Sequence, residues 1–375
     1  MKILMLTFRP FPFKKPFADS IRFVNLNKIL KSQGNQVTII AKNDHLKFGQ
    51  KEINSQKVYF LPALNLPFLG EIFLMLFSPF WLKKIISKEQ PDLVFINSLI
   101  FFRLPKSTKN RSFKIQFDVM GLEHNESRMR SFSFRKLLAS LQKMTEVKLL
   151  NGADFITTVN LAHQEKINQL TKKPVFVLRD AIDPKIFSKT QESQNKKNIS
   201  FLFVGSLANH RLDDLFLVLP SIFKNLENFY FNIIGDGKDF DYYKNEAKAI
   251  SPRIKMVGYV AQEKLGPYLE EADICYSDDW SKIGFPAKVF EYMASGKAVV
   301  VQDTPAVEEV ISNGANGFVY SDAKELESII IKLANDFQLR NKIGHQALID
   351  IENKHTWDKR ADELKEIYQQ VFSLK

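Results

Sequence analysis

A lysine and a glutamate spaced three residues apart carry the clearest chemical signal in this sequence. Lys288 and Glu291 belong to the stretch 281–303, and their spacing places both side chains on one face of a helix. Gly284 and Pro286, just before them, are typical of a turn and a helix start. Free N–H groups at such a start, followed by a lysine and a carboxylate, suit a phosphate and then a sugar hydroxyl. The pattern predicts a site for the diphosphate and the ribose of a nucleotide.

Two further loops after predicted strands fit the same ligand. Gly205 and Ser206 follow the predicted strand 200–204, and Arg211 comes six residues after Gly205. An arginine presents a planar fork of N–H donors, which matches the oxygens of a diphosphate. Gly235 follows the predicted strand 229–234 and indicates a tight turn beside the same strand ends. These loops predict a second group of phosphate contacts.

The bulk composition indicates a two-domain protein of a reducing compartment. The chain has 375 residues, of which 45% are hydrophobic, enough for two cores of ordinary size. Its single cysteine, Cys275, cannot form an internal disulfide. The apolar start of the chain is cut short by Arg9 and Pro10, so it predicts a first strand rather than a signal peptide. We therefore expect a cytoplasmic protein.

The positive charge is concentrated in the first half of the chain. The net charge is +11; residues 1–187 hold 30 Lys and Arg against 14 Asp and Glu, or +16, and the remainder holds 23 against 28, or −5. This asymmetry favours contact with an anionic surface, either membrane lipid or nucleic acid. The alternative is a lysine-rich surface that is simply solvated. No nucleic-acid-binding module is recognisable, so nucleic acid is the weakest of these partners.

Predicted strands and helices alternate along the chain in two series, which indicates parallel sheets and ligand loops at the carboxyl ends of the strands. A polar stretch, 191–198, predicts the linker between the series. The first series has strands at 2–7, 37–41, 92–97, 114–119, 153–158 and 174–178 and a helix at 20–33; the second has strands at 200–204, 229–234, 255–258, 273–276 and 298–301 and helices at 213–223, 239–249 and 323–335.

Two segments of the first series suit either a buried position or a membrane surface. Residues 58–82 are strongly apolar but contain three prolines and a glutamate, which predicts a buried helix pair in preference to a membrane surface or a full span. Residues 128–148 predict a basic amphipathic helix, which either packs on the domain or lies on anionic lipid. Its apolar face would hold Phe134, Leu137, Leu138, Leu141 and Met144, with Arg128, Arg135, Lys136 and Lys143 elsewhere.

The sequence offers no metal site. Asp239 and Asp241 have the acid-x-acid spacing of metal-dependent sugar transfer, but they open a predicted helix, where aspartate caps free N–H groups. The six histidines and the single cysteine show no ligand spacing. We therefore predict no metal and no cofactor.

Taken together, the motifs resemble glycosyltransferase family 4, the retaining enzymes of the GT-B fold. The matching segments, in order, are MKILMLT, NGADFITTVN, FVGSLANHR, FNIIGDG, IKMVGYV and GFPAKVFEYMASGKAVVV. The resemblance implies an α/β protein of two Rossmann-like, doubly wound domains that face each other across a cleft. Residues 1–187 would form the acceptor-side domain and 188–355 the nucleotide-sugar domain. Residues 356–375 would be a structural C-terminal helix that packs back on the first domain.

The resemblance also implies roles for individual residues of the second domain. Glu291 matches the second glutamate of the family's Glu-x7-Glu motif, which binds the donor ribose, and Arg211 stands where a basic residue holds the diphosphate. The backbone at Gly284 and Phe285 would approach the phosphates, with Lys288 near the same charge. The segment 258–260, including Val260, would hold the base, and Gly205, Ser206 and Gly235 would line the site.

Three positions depart from the family pattern. Ile283 stands where the first glutamate of the pair would be, and Ser206 replaces the usual arginine after Gly205. Ala18 and Asp19 replace a glycine pair of the first domain. These departures favour the nucleotide role of the site over recognition of the usual sugar.

In the first domain the resemblance points to Asp118 and His124 as catalytic residues. His124 would orient the donor sugar or the acceptor hydroxyl; its alternative is an ordinary surface histidine. The implied reaction transfers a sugar from a nucleotide-sugar donor to an acceptor hydroxyl. The charge of the first half, the basic amphipathic helix and the apolar stretch 58–82 favour a glycan or lipid-linked acceptor of cell-surface glycan synthesis, with peripheral contact to the inner face of an anionic membrane. A GT-B epimerase and a catalytically silent nucleotide-sugar-binding subunit are the alternatives.

Overall fold

The chain forms two compact units in the computed structural model, which describes residues 1–13, 18–43, 46–64, 66, 69–108, 111–122, 133–186, 198–278 and 284–373. Unit 1 comprises Met1–Arg179 and Arg360–Lys375, and unit 2 comprises Asp180–Lys359. Each unit contains its own sheet of mainly parallel strands with helices between them. The predicted fold class, two Rossmann-like α/β domains, is confirmed.

Unit 1 is built on an eight-stranded sheet in the order β3-β4-β2-β1-β5-β6-β7-β8. Only β3 runs antiparallel to its neighbour, β4. The other seven strands are parallel, so their carboxyl ends lie at the same edge of the sheet. The order reverses beside β1, which pairs with both β2 and β5. The strands are β1 Lys2–Pro10, β2 Gln36–Lys42, β3 Gly49–Ile53, β4 Gln56–Leu61, β5 Leu93–Ile96, β6 Lys114–Val119, β7 Phe155–Thr158 and β8 Val175–Val177.

Unit 2 is built on a six-stranded parallel sheet in the order β11-β10-β9-β12-β13-β14. In chain order this is 3-2-1-4-5-6, the doubly wound arrangement whose crevice lies between the first and fourth strands. Alternate residues of β9 enter opposite cores, Phe201 and Phe203 on one face and Leu202 and Val204 on the other. The strands are β9 Ile199–Val204, β10 Phe229–Ile234, β11 Ile254–Gly258, β12 Ile274–Ser277, β13 Ala298–Gln302 and β14 Phe318–Tyr320.

Twelve helices of four residues or more occur in the described part of the chain. The first five belong to unit 1, the next six to unit 2, and the last crosses from unit 2 into unit 1 at Arg360. They are α1 Ala18–Ser32, α2 Leu69–Glu89, α3 Leu104–Ser107, α4 Ser133–Gly152, α5 Leu161–Asn168, α6 Asp213–Asn225, α7 Phe240–Ile250, α8 Gly266–Glu271, α9 Lys288–Ala294, α10 Ala323–Asn335, α11 Phe337–Lys354 and α12 Trp357–Ser373.

The apolar stretch 58–82 is not the predicted buried helix pair. Its first residues complete β4, and residues 69–82 lie in the single 21-residue helix α2, with Pro79 inside it. Only one side of α2 is buried, through Gly70, Leu74, Ser78, Leu82 and Ile85. Within the described residues, no helix has both the length and the apolar character needed to cross a bilayer.

The predicted amphipathic helix 128–148 corresponds to α4 only in part. The structure describes the helix from Ser133, and the side chains of Phe134, Leu137, Leu138 and Leu141 lie outside the described set. Met144 is half exposed, so it does not belong to the core as an apolar-face residue would. Burial is instead found in the last turns, at Leu149 and Leu150.

The division between the units differs from the predicted boundary after residue 187. Ile182 is buried in the core of unit 2 and pairs with Thr356 in an isolated parallel bridge. Its N–H donates to the His355 carbonyl at 3.0 Å, so the segment that starts at Asp180 already belongs to unit 2. The predicted linker, 191–198, lies outside the described residues except for Asn198.

The C-terminal helix α12 packs on unit 1 through its second half. Tyr368 is buried, its ring meets that of Phe155 at 6.1 Å, and its hydroxyl donates to Gln116 Oε1 at 2.7 Å. Lys114 Nζ donates to the Val371 carbonyl at 2.6 Å. These contacts tie the helix to β6 and β7.

Candidate active site

The loops that follow β9 and β10 pack backbone against backbone, and glycine makes this possible. Gly235 has φ +147°, and a Cβ on it would lie 1.8 Å from the Gly205 carbonyl oxygen. Gly237 has φ +157°, and its Cβ would lie 2.2 Å from the Leu207 oxygen. The Gly205 N–H donates to the Ile234 carbonyl at 3.0 Å, and this hydrogen bond joins the carboxyl ends of β9 and β10. The predicted turns thus form one rigid floor beside the crevice.

Arg211 lies over this floor and is held by Asp278, which directly follows β12, the neighbour of β9 in the sheet. Its Nε donates to Asp278 Oδ1 at 2.7 Å, and its Nη2 donates to the Asp278 carbonyl at 2.7 Å. The guanidinium also stacks over the Phe203 ring, 5.3 Å from the centroid. The third nitrogen, Nη1, lies 3.2 Å from where a Cβ of Gly205 would stand. Arg211 is therefore fixed by two bonds, with Nη1 directed to the glycine loop.

Lys288 and Glu291 meet on one face of α9, as their spacing predicts. Lys288 Nζ donates to both carboxylate oxygens of Glu291 at 2.8 Å, and Gln262 Nε2 donates to Oε1 at 3.2 Å. Burial of Glu291 raises the pKa of its carboxyl, and the neighbouring lysine ammonium opposes this rise. Lys288 thus favours the ionised carboxylate in a place where burial disfavours it.

A tyrosine of α9 joins this pair to the floor under Arg211. The Val204 N–H, at the end of β9, donates to the Tyr292 hydroxyl at 2.9 Å. Tyr292 follows Glu291 directly, and Val204 directly precedes Gly205. The structure therefore brings Arg211, Lys288 and Glu291 to the same end of the sheet, between β9 and β12.

Gly284 and Phe285 lie in the turn before α9. The Gly284 carbonyl accepts a hydrogen bond from Thr304 Oγ1 at 3.0 Å, and the Phe285 ring packs on that of Phe290 at 4.6 Å. The turn is thus anchored to the residues after β13 and to α9 itself. Ile283, the position that departs from the family glutamate, lies outside the described residues.

The residues predicted to hold the base lie at the end of β11 and directly after it. Gly258 has φ +85° and accepts a hydrogen bond from the Gly235 N–H at 2.9 Å. Val260 is half-buried against the core of unit 2, and Tyr259 between them is 69% exposed. The backbone of this segment therefore borders the same glycine floor, while Ser206 is exposed beside it.

Asp239 does not cap α7, contrary to the prediction. No side-chain cap bond is present at the start of this helix. Asp239 is instead buried, and its Oδ2 accepts from the His210 N–H at 2.9 Å. It therefore supports the loop that carries Arg211, where Asn209 and His210 both have positive φ angles. No group of three or more potential metal-ligating side chains occurs in the described part of the chain.

In unit 1, Asp118 forms a buried ion pair at the end of β6. Arg22 donates from Nε to Oδ2 at 2.8 Å and from Nη2 to Oδ1 at 2.9 Å, and Thr157 Oγ1 donates to Oδ1 at 2.7 Å. Arg22 Nη2 also donates to the Leu178 carbonyl at 2.8 Å. Both oxygens of Asp118 are occupied in this way, which does not fit a carboxylate that takes a proton from a substrate. His124 lies outside the described residues.

Sequence reasoning missed the partners that hold the site together. Asp278 fixes Arg211, Gln262 contacts Glu291, and Thr304 fixes the turn at Gly284. Tyr292 ties α9 to Val204, and Arg22 fixes Asp118. The only available signal was indirect: Asp278 directly follows a buried strand at the switch point of the sheet, where ligand residues gather.

Comparison with known proteins adds two family matches and several relatives. The model described as glycosyltransferase family 4 matches residues 21–185, and that described as glycosyl transferases group 1 matches residues 198–336. An uncharacterized glycosyltransferase of Methanocaldococcus jannaschii is 24% identical over 267 residues, 68% of this chain and 68% of that protein. The phosphatidyl-myo-inositol mannosyltransferase of Mycolicibacterium smegmatis is 20% identical over 375 residues, covering 96% of this chain and 92% of that protein.

Solved structures share the architecture. Sucrose-phosphate synthase from Thermosynechococcus elongatus has a TM-score of 0.80 at 15% identity and covers 100% of both chains. The structure of Anabaena HepE in complex with UDP and glucose has a TM-score of 0.71 at 17% identity. The match covers 98% of this chain and 99% of the HepE chain. At these identities the likeness establishes the fold.

Proposed function

The chain belongs to glycosyltransferase family 4 and has the GT-B fold, and on this premise we propose that it transfers a sugar from a nucleoside-diphosphate donor to an acceptor hydroxyl with retained anomeric configuration. One observation carries the proposal: a buried carboxylate, Glu291, lies with Lys288 and Arg211 at the switch point of the unit 2 sheet. The complex of HepE with UDP and glucose, on the same fold, supports a nucleotide-sugar donor.

The proposed reaction assigns a role to each of these side chains. Glu291 accepts hydrogen bonds from the ribose hydroxyls, and Lys288 favours its ionised form. Arg211 and Lys288 neutralise the diphosphate, and the backbone at Gly284 and Phe285 lies along it. Val260 and its neighbours border the base, with Gly205, Ser206 and Gly235 as the floor. Charge neutralisation by two cations is the task that a metal ion performs in other transferases, so we propose metal-independent transfer.

The chemical step is a same-face substitution at the anomeric carbon. The bond from that carbon to the diphosphate oxygen breaks, and the electron pair leaves with the diphosphate. The acceptor oxygen then bonds to the carbon on the same face, and its proton passes to an oxygen of the leaving diphosphate. The protein contributes position and electrostatic stabilisation of the leaving group, without a covalent intermediate.

Unit 1 supplies the acceptor side in this proposal, with a glycan or lipid-linked acceptor of cell-surface glycan synthesis. The charge of +16 in the first 187 residues, from 30 basic against 14 acidic side chains, suits an anionic acceptor or surface. The mycobacterial relative is named for a lipid, phosphatidyl-myo-inositol. His124 stays a prediction as the residue that orients the reacting groups, and Asp118 is assigned a supporting role through Arg22.

A thermal-shift screen of uridine, guanosine and adenosine diphosphate sugars tests the donor site. One donor should raise the melting temperature of the wild-type protein, and the rise should be smaller for Glu291→Ala. Glu352→Ala removes an exposed glutamate of the same unit and is the matched control. If the donor raised the melting temperature of the wild type and of Glu291→Ala equally, Glu291 would not be part of the donor site.

Product analysis then tests the reaction. Nuclear magnetic resonance of the product formed with the identified donor should show the donor's anomeric configuration in the new glycosidic bond. An inverted product would refute the proposed same-face step. Donor isomerised without an acceptor would indicate an epimerase, and donor binding without turnover would indicate a silent binding subunit.

A further inference from the structure

The solvent side of α2 is apolar where a surface helix is ordinarily polar. Leu69, Leu76, Phe77 and Phe80 are 51%, 52%, 49% and 65% exposed, while Phe73 between them is half-buried. Positions three, four and seven residues apart share one face of a helix, so these side chains form one continuous stripe. Exposed apolar surface of this extent marks a site of contact with another phase or molecule.

Aromatic rings make the stripe broad. The Phe73 and Phe77 rings are 4.7 Å apart, and the Trp81 ring lies 6.1 Å from Phe73 and 6.2 Å from Phe80. Large rings bury more apolar area than other side chains and are favoured at membrane–water interfaces. The stripe thus presents rigid aromatic surface to whatever covers it.

Basic side chains border the stripe. Lys83 and Lys84 are exposed, and since they follow Phe80 by three and four residues, they continue its face by one turn. Arg103, also exposed, donates from Nη1 to the Leu76 carbonyl at 3.4 Å, so its charge lies beside the rings. The two acidic residues of the helix, Glu71 and Glu89, are 18 residues (five turns) apart and project to the other side by the same helical geometry. An apolar centre with a positive border matches an anionic lipid surface.

We propose that this surface, the docking face (Leu69, Phe73, Leu76, Phe77, Phe80, Lys83 and Lys84), inserts its rings into the interface of an anionic lipid bilayer. A second copy of the chain is a poorer occupant. In a two-fold dimer the same patch meets itself, so the positive charges of both copies would enter one interface, and the docking face contains no acidic residue to pair with them.

The position of the docking face links it to the acceptor, and this step rests on the proposed function. Arg103 follows the short 3-10 helix Leu99–Phe101, which begins three residues after the end of β5 at Ile96. In a doubly wound sheet, ligand loops gather at this end of the strands, beside the reversal of strand order at β1 and β5. A bilayer on the docking face would present a lipid-linked acceptor to that edge.

Co-sedimentation of the full chain with vesicles tests the docking face without donor or acceptor. Vesicles of phosphatidylcholine with phosphatidylglycerol should bind the wild type at low salt, and neutral phosphatidylcholine vesicles should bind it less. The Phe77→Ser, Phe80→Ser double variant should bind at least about tenfold more weakly, because it removes two exposed rings that the bilayer would bury. Lys83→Glu with Lys84→Glu should also cost about tenfold.

The matched control reverses two exposed lysines of unit 2, Lys324→Glu with Lys342→Glu, and should bind as the wild type does. Thermal melts verify that each variant is folded. Wild type that stays in the supernatant, or serine variants that sediment like the wild type, would overturn the proposal. The proposal would also be overturned if the wild type did not bind vesicles and sedimentation velocity showed a wild-type dimer that was absent in the serine variants. Transfer to a soluble acceptor by the serine variants, measured separately, reports on the proposed function alone.

Discussion

Arg211 and Asp278, 67 residues apart in the chain, are joined by two hydrogen bonds of 2.7 Å. They follow β9 and β12, the neighbouring strands between which the unit 2 sheet reverses its order. The arginine assigned to the diphosphate therefore takes its orientation from a buried carboxylate and a main-chain oxygen of the opposite loop. We therefore propose Asp278 as a positioning residue of the donor site.

Substitution of Asp278 by asparagine should weaken donor binding by about tenfold, since a charge-assisted hydrogen bond contributes about 1.5–3 kcal/mol. Arg211→Lys should have a similar effect, because lysine lacks the fork. In the double variant the two losses should not add, because both changes disturb one contact. Isothermal titration with the identified donor measures all three, and additive losses would show that the residues act independently. Asp241→Asn, an exposed change in α7, is the control.

Glutamine at position 291 should lower donor affinity yet stabilise the empty protein. Because burial raises the folded-state pKa of Glu291 above 4.5, its contribution to stability is fully present at low pH and is lost as the pH rises through the folded-state value. The melting temperature of Glu291→Gln relative to wild type should therefore rise as the pH increases from below 4.5 through the folded-state pKa, and level off above it. A difference that stays constant over this range would contradict the assignment.

Loss of charge at Asp118 should destabilise unit 1 strongly. Asp118→Asn leaves the Arg22 guanidinium buried without its counter-charge, which costs about 3–5 kcal/mol of unfolding free energy. Replacing both residues, Arg22→Met with Asp118→Leu, should cost less than the single change. Urea denaturation measures each value. Asp19→Asn breaks an ion pair to Arg9 that is 28% exposed on both sides and should cost at most about 1 kcal/mol.

Alanine at Gly235 should disrupt the glycine floor. The new Cβ would meet the Gly205 carbonyl at 1.8 Å in a backbone conformation with φ +147°, so we expect a loss of at least about 3 kcal/mol. Gly266, at the start of α8, has nothing within 4 Å of its Cβ position and no positive φ. Gly266→Ala should change the free energy of unfolding by less than about 1 kcal/mol. Similar stability of the two variants would contradict the packing of the floor.

The alternation of strands and helices was predictable because buried parallel strands are short, continuous apolar runs. Val299, Val300 and Val301, for example, form one such run and lie in β13 as expected. The stretch 58–82 was misassigned for a related reason: apolar content alone does not separate a strand followed by one helix from two helices. Its periodicity also gave no sign that Phe77 and Phe80 face solvent, because apolar residues occupy both sides of α2.

By itself, the sequence determined the contact between Lys288 and Glu291, because two residues three apart on a helix meet whatever the rest of the chain does. It also determined the glycine turns after β9 and β10, since strand ends with Gly205 and Gly235 allow close backbone approach. Only the tertiary structure decided which partners hold Arg211 and Asp118. Their partners lie 67 and 96 residues away, and the order of strands in each sheet, not any local pattern, brings them within 3 Å.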